Sequence, residues 1–250
     1  MTNDPLLRMG IVLFLWIATT TSSPLFTHAR APDLYSSSGI PFKNLTIPGR
    51  IYWRDYDLGG PAVSFCHHPN ETTPAACAKG IKLDDWCCTS VRCDERLNPV
   101  CPPYRANADN AGLSHMNDGE PDQDPSGKLV YPQEAYLSYT VTGEWLKFTV
   151  NVSVAGTYFV SGMTAAPRPD QDPTPTISLD FGQGISTGIF AVPPSVCDKG
   201  ARCTEGYHVW QKNPNMAKVT FPTAGIYVMT FTLVKSFFNA LYFEFTTNAI

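Results

Sequence analysis

From Leu146 to Val154 the chain alternates without a break. Leu146, Phe148, Val150, Val152 and Val154 are apolar, and Lys147, Thr149, Asn151 and Ser153 between them are polar. A period of two puts one set on each face of an extended strand, so this stretch predicts a strand with one buried face. Shorter runs at residues 157–163, 176–181, 185–192, 218–221, 226–234 and 241–246 read the same way, with Gly, Pro and Asn in the gaps. Beyond residue 29 no segment sustains an apolar period of 3.6 residues. Short strands, turn residues between them and no helices predict an all-β chain folded as an antiparallel β-sandwich.

The amino terminus is different in kind. Residues 11–18, an unbroken apolar run, follow Arg8 and precede small polar residues. That order is the pattern of a secretory signal peptide, and Thr27-His28-Ala29 offers a cleavage site, so residues 1–29 are expected to be removed. An uncleaved anchor is the competing reading. The run is short for a bilayer, which needs about 20 apolar residues. No later stretch is longer, so the mature chain is expected to lack a transmembrane segment.

Cysteine usage agrees with an exported chain. All eight cysteines lie beyond residue 29, and an even number in an oxidising compartment is expected to pair. Three acceptor sequences for N-glycosylation, at Asn44, Asn70 and Asn151, point the same way. The alternation places Asn151 on the wet side of its strand.

The domain plan follows. Residues 30–46 lack periodicity and read as an N-terminal leader; residues 47–250 form the sandwich. Within it, residues 66–101 hold Cys66, Cys77, Cys87, Cys88, Cys93 and Cys101 in a Pro- and Asp-rich segment too poor in apolar pairs to build a core. Disulfides are expected to hold this insertion together. Sequence leaves their pairing open, except that a bond between adjacent Cys87 and Cys88 would strain the backbone. Cys197 and Cys203 bracket a short loop and pair most simply with each other. Thiolate pairs at zinc spacing are absent from the sequence.

Net charge is −4 with both signs mixed, which leaves no basic face for nucleic acid. One internal echo stands out: Pro121-Asp-Gln-Asp-Pro125 recurs as Pro169-Asp-Gln-Asp-Pro173. Paired carboxylates of this kind can join a calcium site, but Asp and Pro are also ordinary turn residues, the favoured reading here.

Several stretches together resemble the family 6 carbohydrate-binding modules. They are residues 47–57 and 59–63 near the start, Tyr104-Arg105, the central residues 139–148 and 155–158, and residues 206–210 and 238–245 at the end. The resemblance implies a jelly-roll-like sandwich with a ligand site in loops at one end. Carried over position by position, it implies Tyr139 and Tyr207 as the rings that hold a sugar. Asn239 would supply the hydrogen-bonding amide, with Glu144 assisting. The family's structural calcium usually depends on acidic residues in the opening strand. Tyr52 and Arg54 stand there, which argues against that metal, and no cofactor is expected.

The chemistry is sound without the family. A pyranose has an apolar C–H face and a rim of hydroxyls; rings cover the first, and an amide gives both donor and acceptor to the second. A site with so few contacts should bind with Kd on the order of 10 µM to 1 mM. The expected function is therefore a secreted lectin-like protein that recognises an extracellular or cell-wall polysaccharide. The alternative is a structural glycoprotein of a matrix, coat or fibre that self-associates through the sandwich. Catalysis is not expected: Asp84, Asp85, Asp94 and Glu95 lie in the insertion without a catalytic setting, His67-His68 lacks a ligand pattern, and no serine nucleophile motif occurs.

Overall fold

A computed structural model describes residues 40–60, 62–66, 77, 113–115, 123–128, 135–138, 140–197, 206–235 and 237–250. The segment read as a signal peptide, Asn70, Tyr139, Cys203 and Cys87, Cys88, Cys93 and Cys101 lie outside the described residues. Among the described residues twelve strands run in order: β1 Leu45–Ile47, β2 Gly49–Tyr52, β3 Phe65–Cys66, β4 Leu113–His115, β5 Ala135–Leu137, β6 Trp145–Val152, β7 Gly156–Ala165, β8 Thr176–Asp180, β9 Ser186–Ala191, β10 Gln211–Phe221, β11 Gly225–Lys235 and β12 Asn239–Thr246. A 3-10 turn, Trp53–Asp55, follows β2.

The strands form two sheets. The first has the order β1-β6-β11-β8-β9 with β3 also on β6; the second has the order β10-β7-β12-β5-β4 with β2 also on β12. Pairing is antiparallel apart from β1, which runs parallel to β6 with Leu45 opposite Val150 and Ile47 opposite Val152. This strand begins inside the segment read as a leader, and Ile40 bridges Leu58 still further upstream.

Alternation explains the core. Leu146, Phe148, Val150 and Val152 are fully buried from the first sheet, and Val160, Phe243 and Phe245 meet them from the second. Trp53 fills the space between, its ring 4.1 Å from Phe231, 4.6 Å from Phe243 and 5.6 Å from Phe148. Edge-to-face contacts of this kind add to the gain from area buried.

Three local readings are corrected. Val154 is 62% exposed because the strand stops at Val152. Thr149, on the outer face, is nonetheless buried: its N–H and hydroxyl both donate to Asp57, at 2.9 and 2.7 Å. And β10 starts at Gln211, well before residue 218. Asn213-Pro214-Asn215 reads as a turn but forms a bulge, with Asn215 at φ 51°, on an edge strand where proline's missing N–H is tolerated.

In the cysteine-rich segment, Cys66 at the end of β3 is bonded to Cys77. Cys197 is also disulfide-bonded.

Candidate functional site

Residues 140–144, 166–175, 192–197, 206–210 and 237–238 come together at one end of the sandwich. Ser195 is their first knot. Buried, it donates its hydroxyl to the Val209 carbonyl (2.7 Å) and accepts from the Ala166 N–H (2.9 Å), while its own N–H donates to the Ala166 carbonyl (3.1 Å). Gly206 comes next, with φ +82°. A Cβ there would lie 2.6 Å from the Ala166 carbonyl oxygen, so glycine alone lets the two backbones approach.

That approach positions Tyr207. Its hydroxyl donates to Asp172 Oδ2 at 2.6 Å, and its ring is tilted 43° to that of Phe237 with centroids 6.5 Å apart. Burial, then the bond to Asp172 and its charge, push the phenol's pKa well above the ordinary value of 10.0, so Tyr207 remains a donor. Asn239, the first residue of β12 and 7% exposed, donates Nδ2 to the Tyr207 carbonyl at 2.7 Å. Tyr207 is thus held at its backbone by Asn239 and at its hydroxyl by Asp172.

Residues 140–144 join the same end. Thr140 Oγ1 accepts from the Phe238 N–H and donates to the Phe238 carbonyl, each at 3.2 Å. Tyr139, its neighbour in sequence, lies outside the described residues. Glu144 is fully buried; its Oε2 accepts from the Val141 N–H at 3.0 Å, which closes the turn over Thr142 and Gly143. From this place its carboxylate supports the loop and is shielded from solvent. The structure therefore brings Tyr207 and Asn239 into contact and buries Glu144 within its own turn.

Two residues escaped the sequence reading. Phe237, 41% exposed, presents an apolar ring beside Tyr207. The Phe237-Phe238 doublet was a usable signal, since Phe238 is buried and an extended chain turns its neighbour the other way. Asp172, inside the second Asp-Gln-Asp echo, tethers the Tyr207 hydroxyl. The first echo flanks the same loop: the Gln123 N–H donates to the His208 carbonyl and the Trp210 N–H to the Gln123 carbonyl, both at 2.9 Å. Asp124 makes a turn by accepting from the hydroxyl and N–H of Ser126 and the N–H of Lys128. Those bonds, the Ser126 hydroxyl first, hold its carboxyl below the usual range. Tyr136 is buried edge-on to Trp210 at 5.0 Å.

The opening strand does not suit a structural calcium. The Arg54 guanidinium lies 4.6 Å over the Tyr52 ring. The nearby acid, Glu244, is bonded to Arg50 at 2.9 Å and Lys212 at 2.7 Å, so side-chain cations already occupy this region. Among the described residues no three His, Cys, Asp or Glu side chains form a metal-binding group.

Solved structures similar to this chain include family 6 carbohydrate-binding modules. The C-terminal CBM6 of LamC from Zobellia galactanivorans is 19% identical, with a TM-score of 0.36 over 46% of this chain and 81% of that one. A module of Cellvibrio mixtus lichenase 5A, solved with cellotriose, is 15% identical, with a TM-score of 0.37 over 55% and 88%. The Cry4Aa toxin of Bacillus thuringiensis is 14% identical, with a TM-score of 0.33 over 46% of this chain and 19% of the toxin. No protein-family model matches the sequence, and no curated protein matches it. At these identities and TM-scores the sandwich rests on its own sheets and register.

Proposed function

We propose that this chain is a secreted, non-catalytic protein that binds an extracellular or cell-wall polysaccharide at the loop end of its sandwich. One observation carries the reading: Asn239 is bonded to the backbone of Tyr207, so an amide and an aromatic ring are fixed side by side. A pyranose lays its C–H face on the Tyr207 ring, with Phe237 as a wall and Tyr139 as the second ring. Asn239 uses one N–H on Tyr207; the rest of its amide serves sugar hydroxyls. Glu144 holds the turn that follows Tyr139. The reading needs no acid–base pair, and Asp172 serves it by tethering Tyr207. The even cysteine count and the acceptor sequences at Asn44, Asn70 and Asn151 support an exported glycoprotein.

Retention of the full chain on immobilised glucans, xylans and related polymers tests this. Wild type should be retained on at least one, and a Tyr207→Ala variant that keeps its β spectrum should pass through. No retention of folded wild type on any polymer would count against the reading.

One observation favours assembly as a second reading. β9 is an edge strand of the first sheet and carries Ile189, 67% exposed. An open edge with an apolar side chain is a template for pairing with another copy. Sedimentation across a concentration series, without glycan, separates the two.

A further inference from the structure

Away from the loop end, the outer face of the first sheet holds an open groove of about 290 Å³ beside β1 and β6. Pro41, Phe42, Asn44, Thr149, Asn151 and Ile226 are among its lining residues. Phe42 is half-buried and Asn44 exposed. Lys43 between them is tied to Asp55 at 3.0 Å. Asn44-Leu45-Thr46 is an acceptor sequence for N-glycosylation. Leu45 and Ile47 point into the core while Thr46 is exposed, and β1 is the outermost strand of its sheet order.

We propose that Asn44 carries an N-linked glycan whose first N-acetylglucosamine lies in this groove with its C–H face on the Phe42 ring. The proposal rests on the secretory reading above, because that compartment supplies the donor. In the transfer, Asn44 Nδ2 forms a bond to the anomeric carbon of a lipid-diphosphate-linked oligosaccharide. The anomeric C–O bond breaks, the lipid diphosphate leaves with its electron pair, and the amide nitrogen gives up one proton.

The groove suits this occupant in three ways. Its volume is at the lower limit of small-ligand pockets, a match for a sugar ring and not for a polymer segment. Its lining is mixed: Phe42, Pro41 and Ile226 offer apolar surface to C–H groups, and Asn151 offers a polar side chain toward an N-acetyl group. The point of attachment is on the groove itself, so the sugar is delivered at high effective concentration and a weak contact suffices.

The test uses the full chain secreted from eukaryotic cells. Glycopeptide mass spectrometry reads occupancy at each acceptor asparagine, and thermal melts compare wild type, Asn44→Gln, Phe42→Ala, Phe42→Leu and the doubles with Asn44→Gln. Asn44 should be occupied, and Asn44→Gln should lower Tm by about 2–4 °C with Phe42 present. In the Phe42→Ala and Phe42→Leu backgrounds that drop should vanish, a non-additivity that marks direct contact. Phe42→Leu keeps the bulk without the ring, so it still reports where Phe42→Ala fails to fold. An unmodified Asn44 beside an occupied Asn70 or Asn151, or an equal Tm drop in all backgrounds, overturns the proposal and leaves the secretory reading standing. A chain that is neither exported nor glycosylated anywhere overturns both.

Discussion

Asn239 donates its side-chain amide to the backbone carbonyl of Tyr207 across 2.7 Å, and Tyr207 donates its hydroxyl to Asp172 across 2.6 Å. The relay fastens the 166–175 loop and residues 206–210 to the start of β12. The ring is placed before any ligand arrives, which spares a weak site the cost of ordering it.

Asn239→Asp keeps the shape but sets an acceptor against a carbonyl. It should lower stability by about 1–3 kcal/mol, read by urea unfolding, because it loses a buried donor and faces two oxygens. Polysaccharide retention should fall with it. Unchanged stability would mean that this bond does not hold the loop.

Tyr207 makes stability fall at alkaline pH. Its folded-state pKa is raised, so the unfolded chain releases the phenolic proton first. Its contribution is fully present below pH 10.0 and is lost as pH rises toward the folded value. Asp172→Asn removes part of the upward push, so the Tyr207 phenolate should appear at lower pH in a spectrophotometric titration. Equal titration curves for wild type and variant would contradict the tether.

Glu244 acts at the other end of the scale. The bond to Lys212, followed by the bond to Arg50, lowers its pKa below 4.5. Its contribution is present above that value and is lost as pH falls through the folded-state pKa. Wild type should melt above Glu244→Gln at neutral pH, and the gap should close on acidification. A gap that persists in acid would place the effect in packing rather than charge.

Asp57 is buried against β6 with Thr149 on both of its oxygens. Asp57→Ala would leave a buried strand N–H and hydroxyl without this acceptor. A loss of about 1–3 kcal/mol is expected in urea unfolding, with the denaturant slope unchanged.

Most of the sandwich was legible because its strands bury one face, and alternation then repeats from residue to residue, as from Leu146 to Val152. What was hidden depends on partners distant in sequence. The burial of Thr149 comes from Asp57, 92 positions away. The parallel strand β1 is short, and no local pattern announces its pairing with β6. The Asn-Pro-Asn bulge of β10 has the composition of a turn, and only its edge position makes it a strand. At the candidate site, Tyr207 and Asn239 could be named from motif order. Phe237 and Asp172 were missed because their roles arise from where two loops cross, which alternation does not encode.

The most direct test of the binding site is affinity electrophoresis of wild type, Tyr207→Ala and Phe237→Ala through gels containing each polysaccharide in turn, after circular dichroism has shown all three to be folded. Wild type should be retarded by at least one polymer. Tyr207→Ala should run unretarded in that gel, and Phe237→Ala should be retarded less than wild type. Equal retardation of all three would place binding elsewhere on the molecule, and free migration of wild type in every gel would contradict the carbohydrate-binding reading itself.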